Sequence, residues 1–183
     1  MQRFSQRPDA HLAPFFADTG TTIPADNMDI LVSELAVVWG PASIQGSYHH
    51  AFVDAYAGDD LDFWGAYAQV SFFLTGEHRN YLFGQGKFGR LAPRARFNLA
   101  MGDWGAWEVA ARFAYVDLND SMIRGGELWS ITAGLGWYLY PNARVTFNYV
   151  HSSLRDRTVL GPPIIMDVDG DSDIAEIRFQ LDF

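Results

Sequence analysis

The chain has 183 residues, no cysteine and a formal net charge of −9 at pH 7. Without cysteine it can form neither a disulfide framework nor a thiolate metal site. Hydrophobic residues make up 49% of it, yet the mean hydropathy is only −0.06, because the apolar residues are dispersed. The sequence has no apolar run of the roughly 18 residues that a transmembrane helix needs, whereas transmembrane β-strands, which alternate, stay possible.

Apolar and polar residues alternate along seven stretches of the chain, and this pattern predicts strands. The predicted strands are residues 29–39, 43–53, 63–74, 106–117, 128–140, 144–151 and 173–183, with residues 1–5 as the end of a candidate eighth. Most of them reach the ~9–11 residues that a tilted membrane strand needs and exceed the roughly 5–6 of an average soluble strand. Each has an apolar face opposite a face of small polar and charged residues. The pattern predicts an all-β, antiparallel transmembrane β-barrel with about 7–8 strands in this chain.

The last predicted strand alternates most strictly. Ala175, Ile177, Phe179, Leu181 and Phe183 share one face, and polar residues occupy the other. The strand resembles the terminal strand of bacterial outer-membrane β-barrels, whose final Phe is part of the signal read by the barrel-assembly machinery. This resemblance makes Phe179, Leu181 and Phe183 the candidate assembly signal. The alternative for this stretch alone is the edge strand of a soluble sandwich.

Tryptophan and tyrosine residues lie on or near the apolar faces of the predicted strands. They are Trp64, Trp107, Trp129, Trp137, Tyr140 and Tyr149. In a membrane barrel such residues anchor at the two membrane interfaces, whereas in a soluble barrel they fill the core.

The connections between the strands alternate in length. Gly40–Ala42 and Pro141–Asn142 read as tight turns, while residues 6–28, 57–62, 119–127 and 152–172 read as longer, mostly acidic loops. Short turns at one end and long loops at the other are typical of outer-membrane barrels.

One connection, residues 75–104, breaks this rhythm, because it is long at the end where turns should be short. It carries five of the thirteen Lys and Arg residues of the chain, namely Arg79, Lys87, Arg90, Arg94 and Arg96. A basic connection folded into a barrel lumen would select anions, and the planar guanidinium suits phosphate oxygens. We predict that residues 75–104 fold into the lumen and bind anions; the alternative is an exposed basic loop.

Charged residues also recur on the polar faces of the predicted strands. Arg112, Arg144 and Arg178 are predicted to line the pore wall, near Glu108 and Glu176. These five residues form either a mixed-charge wall that attracts a passing ion or a ladder of ion pairs between neighbouring strands.

Five strings of the sequence resemble one known family, the phosphate-selective porins O and P. They are SFFLTGEHRNY (71–81), KFGRLAP (87–93), GAWEVAARFAYVDLND (105–120), GGELWSITAGLGWYLYPNARVTFNYVH (125–151) and IRFQLDF (177–183). The resemblance implies a sixteen-stranded outer-membrane barrel, of which this chain is the C-terminal half, that passes small anions such as phosphate or polyphosphate. It implies membrane lipid, lipopolysaccharide, the barrel-assembly machinery and a homotrimer as partners. No cofactor, metal, catalytic residue or nucleic-acid partner is expected.

Residues 1–16 have no basic stretch followed by an apolar one and do not read as a secretory signal. We therefore expect an N-terminal half and a signal peptide to precede this sequence. Two alternatives stay open: a small eight-stranded outer-membrane barrel with an anchoring role, and a soluble, lipocalin-like binding barrel.

Overall fold

The computed structural model describes residues 2–20, 23–56, 58–161 and 164–182, with the backbone alone for residues 159–161 and 164–166. The strands are β1 (Ser5–Gln6), β2 (Ala17–Asp18), β3 (Ala25–Trp39), β4 (Ala42–Ala55), β5 (Leu61–Phe73), β6 (Tyr81–Leu82), β7 (Lys87–Phe88), β8 (Ala106–Asp120), β9 (Ile123–Tyr140), β10 (Ala143–Gly161) and β11 (Ile164–Leu181), and a 3₁₀ turn lies at Phe83–Gln85. Among the described residues, none forms a helix with the length and apolar character that a membrane crossing requires.

The seven long strands form one antiparallel sheet in the order β11-β10-β9-β8-β5-β4-β3. Every strand lies beside its sequence neighbour, and β5 and β8 pair although residues 74–105 separate them. The all-β, antiparallel prediction is confirmed. Within the described residues, β3 and β11 each have one partner in this sheet, so the sheet is open at both edges.

The two faces of the sheet reverse the pattern of a soluble protein. On the polar face, Ser43 and Ser71 are buried and hydrogen-bonded at 2.8 Å. On the apolar face, Leu35, Trp39 and Phe179 are 63%, 85% and 78% exposed. A soluble barrel would bury its apolar face, whereas a membrane barrel turns that face to lipid. The arrangement therefore does not fit the lipocalin-like alternative.

The short turns of the predicted rhythm are present. Gly40–Pro41 joins β3 to β4 and Pro141–Asn142 joins β9 to β10. Gly40 has a φ of +56°, a left-handed conformation that glycine adopts without steric cost. We call this end of the sheet the short-turn end and the opposite end the loop end.

Two predicted loops at the loop end are wrong. Residues 119–127 continue β8 and β9 up to a turn at Ser121–Met122, and residues 152–172 largely continue β10 and β11. Their polar composition resembles that of a loop, but cross-strand pairs hold them extended; Arg155, for example, donates to Asp171 at 3.0 Å. Where a strand projects beyond the apolar band of the sheet, its backbone hydrogen bonds to the neighbouring strand form without apolar side chains.

The segment of residues 2–20 and 23, called the N-terminal segment, does not add an eighth strand to the sheet. Within it β1 pairs with β2, and it packs over the polar face near the loop end. A buried apolar cluster joins the two parts: Ala17, Ile23, Val53, Leu61, Phe63, Leu118, Leu128 and Leu154. The prediction that residues 1–5 end an eighth strand is wrong for the described residues of that range, because Ser5 pairs with Asp18. The small eight-stranded alternative therefore gains no support from the described part of the chain.

Gly105, where the chain enters β8, offers a test of this fold. Its φ is +72°, and a methyl group on it would collide with the carbonyl oxygen of Tyr138. We expect Gly105→Ala to cost on the order of 1–3 kcal/mol from backbone strain alone, and more from the collision. The fraction of intact protein that refolds in detergent, measured by heat-dependent gel migration, should fall sharply. Gly84→Ala is the matched control, because nothing lies within 4 Å of the added methyl group; equal refolding of the two variants would contradict the fold at Gly105.

Candidate functional site

Arg79 reaches from the connection onto the polar face at the short-turn end. Its Nε donates to Glu108 Oε1 at 3.1 Å and to Ser71 Oγ at 3.3 Å, and its Nη2 also bonds to Glu108. Glu108 is only 4% exposed, and its second oxygen accepts a hydrogen bond from the Tyr138 hydroxyl at 2.7 Å. Because a buried carboxylate needs a partner of opposite charge, this pair neutralises Glu108 and fixes residue 79 against the sheet.

Arg79, Arg90 and Arg144 line one cavity of about 250 Å³ at this end of the polar face. Arg90 Nη2 lies 3.4 Å from Asp182 Oδ2, and the Arg90 side chain is 56% exposed. Arg144 donates to the neutral amide oxygen of Gln180 at 2.7 and 3.0 Å. The amide of Gln180 carries no net charge, so this contact does not neutralise the positive charge of Arg144. The cavity therefore offers guanidinium donors to a small oxyanion.

Arg112 lies four residues beyond Glu108 on β8, roughly 13 Å further along the polar face. Its Nε is 3.2 Å from Asp9 Oδ2, a close ion pair without hydrogen-bond geometry, and its guanidinium lies 4.0 Å from the centroid of the Tyr67 ring. It lines a polar cavity of about 240 Å³ with Gln69, and a larger one of about 440 Å³ beneath the N-terminal segment. Cavities with arginine in their walls thus follow one another along the polar face.

Aspartates of the N-terminal segment hold it in place. Asp9 accepts hydrogen bonds from Ser130 at 3.1 Å and from Thr132 at 3.3 Å, besides its ion pair with Arg112. Asp18 accepts two hydrogen bonds from Arg3 of the same segment, at 2.9 and 2.6 Å, and these bonds lower the pKa of Asp18. Its carboxylate also lies 3.8 Å from Arg157 Nη2 of β10, which ties the segment to the sheet. Neither aspartate was among the predicted site residues, because nothing in its local sequence marks it; each matters only through its partners.

Among the described residues, Glu108 and Arg112 form no ladder of ion pairs with charged residues of neighbouring strands, which is one of the two arrangements that the sequence left open. Glu108 and Arg112 find their partners, Arg79 and Asp9, in segments that fold over the sheet. The mixed-charge wall is the alternative that these contacts favour.

Four of the predicted pore residues lie outside these cavities. Lys87, Arg94, Arg96 and Arg178 are exposed, and the described residues contain no ion pair to any of them. By register Arg178 faces the polar side, opposite Thr146. Their role in a pore stays a prediction.

The predicted assembly signal is only partly described. Phe179 and Leu181 project from the apolar face of β11 and are exposed, and Phe183 lies outside the described residues. Recognition by the assembly machinery stays a prediction.

Aromatic side chains mark both ends of the apolar face. Trp107 and Trp137 stack at 5.1 Å near the short-turn end. Trp64 and Tyr115 contact each other at 4.9 Å nearer the loop end, and Tyr115 pairs in register with Trp129. Aromatic side chains at both ends of the apolar face are expected of a membrane barrel, where they lie at the two membrane interfaces.

Comparison with known proteins decides the family. The family model described as phosphate-selective porin O and P matches residues 2–183. The chain belongs to this family. An uncharacterized protein of Caulobacter vibrioides is 30% identical over 181 residues, which cover 99% of this chain and 35% of that protein. Porin O of Pseudomonas aeruginosa is 27% identical over 157 residues, which cover 80% of this chain and 34% of that protein.

The chain thus spans about a third of the length of the curated relatives it matches. Its family places it in the bacterial outer membrane, as predicted. The exposed apolar face and the covered polar face of the sheet agree with that location.

The contact between Arg79 and Glu108 can be tested by stability. Glu108→Gln keeps the shape of the side chain but removes the charge that pairs with Arg79. We expect a loss of about 2 kcal/mol in the free energy of unfolding, the typical value of hydrogen bonds to charged groups. Urea titration of the intact protein in detergent micelles measures it. Glu34→Gln removes the same charge from an exposed residue of β3 and should change stability by less than about 0.5 kcal/mol; similar losses in both variants would contradict a specific role of Glu108.

The anchoring role of Asp9 can be tested by hydrogen exchange. Asp9→Asn removes the negative charge that faces Arg112 and weakens the bonds from Ser130 and Thr132. A loss of about 1.4 kcal/mol corresponds to a tenfold change in an opening equilibrium, so amides of residues 2–20 should exchange about tenfold faster. Asp26→Asn, at an exposed position of β3, serves as the control. Unchanged exchange in Asp9→Asn would mean that the apolar cluster and the contacts of Arg157 with Phe16 and Asp18 hold the segment without Asp9.

Proposed function

We propose that the intact protein containing this chain is a passive porin that lets small anions cross the outer membrane along the polar face. The observation that carries the proposal is the arginine-lined series of cavities on the covered side of a sheet whose opposite side is apolar and exposed. Anions enter the series at Arg90 and Arg144, pass Arg79 and continue towards Arg112. The proposal includes no catalytic step, cofactor or nucleic-acid partner.

Partial neutralisation of the arginines favours the passage of an anion over its tight binding. A permeant ion must bind strongly enough to enter and weakly enough to leave. Arg79 and Arg112 face the carboxylates Glu108 and Asp9, which lower their attraction for anions, while Arg144 faces an amide. Because most of the arginines along the path face a carboxylate, including Arg90 beside Asp182, the path offers anion sites of moderate strength. The planar guanidinium also favours phosphate over chloride, because it can donate two parallel hydrogen bonds to one phosphate.

Closure of the barrel is part of the same proposal. Unpaired backbone groups cannot stand in lipid, so the free edges of β3 and β11 need further strands. We propose that the rest of the intact protein supplies them, with this chain as the C-terminal part of the barrel. Contacts of Arg79 and Arg90 with the polar face support the proposal that the first half of residues 75–104 lies in the lumen. Lipopolysaccharide, the barrel-assembly machinery and a homotrimer remain proposed partners.

Reversal potentials in a planar bilayer test the anion path. With the intact protein under a salt gradient, we expect anion selectivity in chloride, and a reduced chloride current when phosphate is added. The double variant Arg90→Gln/Arg144→Gln should lose most of the selectivity, because it removes two of the three guanidinium groups of the cavity. Arg124→Gln is the control, since it removes a positive charge from an exposed position beside the turn at the loop end. Cation selectivity of the unaltered protein, or equal effects of both variants, would overturn the proposed path.

A further inference from the structure

The connection between β5 and β8 divides between the two faces of the sheet. Its first part, up to Leu91, lines the cavity on the polar face. Its last part, residues 97–104, forms a tight hairpin that we call the rim hairpin. Asn98 N donates to Asp103 O at 2.9 Å, Asp103 N donates to Asn98 O at 3.0 Å, and Met101 N donates to Asn98 O at 3.1 Å.

The rim hairpin is fastened to the apolar side of the sheet. The main-chain N–H of Phe97 donates to the carbonyl oxygen of Leu139 at 2.9 Å. This carbonyl lies on β9, just past the end of its pairing with β8. The Phe97 ring packs edge-on against Trp137 at 5.3 Å, and Trp137 Nε1 donates to Trp104 O at 2.7 Å. Trp137 in turn stacks on Trp107 of the apolar face. The hairpin therefore extends the aromatic row at the short-turn end.

The tip of the rim hairpin is apolar and open. Leu99, Met101 and Trp104 are 68%, 78% and 58% exposed. A single exposed apolar side chain is ordinary on a protein surface. Three of them on one fixed hairpin beside the lipid-facing surface extend that surface. The hydrogen bonds to Leu139 and Trp137 hold this tip in position.

Two arginines lie where the connection crosses from one face to the other. Arg94 and Arg96 are exposed and, within the described residues, in no ion pair. The main-chain N–H of Arg94 donates to Glu77 at 3.2 Å, which holds this crossing at the end of β5. Two positive charges directly before an apolar tip match a phospholipid leaflet, which presents phosphates above its acyl chains.

We propose that the rim hairpin, with Arg94 and Arg96, is a docking element for the phospholipid leaflet at the short-turn end. Leu99, Met101 and Trp104 enter the boundary between headgroups and acyl chains, and the two guanidinium groups bind headgroup phosphates. The inference rests on the outer-membrane location of the family and is independent of which solute passes through the barrel. For Arg94 and Arg96 it is the alternative to the pore role predicted from the sequence, and ion selectivity distinguishes the two.

Depth measurements test the apolar tip. Met101→Cys, labelled with an environment-sensitive fluorophore in the intact protein, should shift its emission to the blue in phosphatidylglycerol vesicles and be quenched by brominated lipids. Leu12→Cys is the matched control, because Leu12 is 97% exposed but belongs to the N-terminal segment on the polar face. Equal quenching of the two labels, or cross-linking of Met101→Cys to a second copy in place of lipid contact, would overturn the docking role.

Lipid dependence tests the two arginines. In the unaltered protein, we expect thermal stability to be higher in phosphatidylglycerol than in phosphatidylcholine vesicles, and Arg94→Gln/Arg96→Gln should remove most of that difference. Arg124→Gln, at the loop end, should retain it. Stabilisation in phosphatidylcholine by millimolar inorganic phosphate, lost in the double variant, would identify a site for the free ion and overturn the lipid proposal.

Bilayer recordings of the same double variant separate this inference from the proposed function. Ion selectivity should be unchanged in Arg94→Gln/Arg96→Gln. A loss of anion selectivity with intact lipid dependence would assign the two arginines to the pore and overturn the docking role. A porin without anion selectivity would overturn the anion path and leave the lipid contact standing.

Discussion

The antiparallel hydrogen-bond ladder is the constraint on which the rest of this structure depends. In lipid, every backbone N–H and C=O must be satisfied within the protein, and paired strands achieve this while leaving one face free for apolar side chains. The ladder of seven strands runs without interruption across β5 and β8, although a long connection separates them in sequence. Because the ladder satisfies the backbone, side chains of opposite character can occupy the two faces.

The polar face owes its chemistry to the segments that fold over it. A sheet alone would expose Glu108 and Arg112 to water, where a charged pair contributes little. Arg79 and Asp9 arrive from the connection and from the N-terminal segment, cover these residues and pair with them. The covering segments thus divide the polar face into cavities and set how much positive charge each one keeps. In this way a strongly acidic chain can place positive charge along the proposed anion path.

The connection of residues 75–104 serves both faces because its composition changes along its length. Arg79 and Arg90 find carboxylates on the polar face, whereas Phe97 and Trp104 find Trp137 on the apolar face. The rim of the sheet lies between them, at Arg94 and Arg96. One segment therefore joins the proposed anion path to the lipid-facing surface.

The sequence by itself determined the all-β class, most strands, the tight turns and the faces, because alternation with a period of two is a local property. It also located the basic connection, but it misjudged residues 119–127 and 152–172, since strands held by polar cross-strand pairs lack the apolar signal. Only the tertiary structure decided which charges meet. Arg112 and Asp9 are far apart in sequence, and a partnership between distant residues depends on how segments fold over the sheet, which no local pattern encodes.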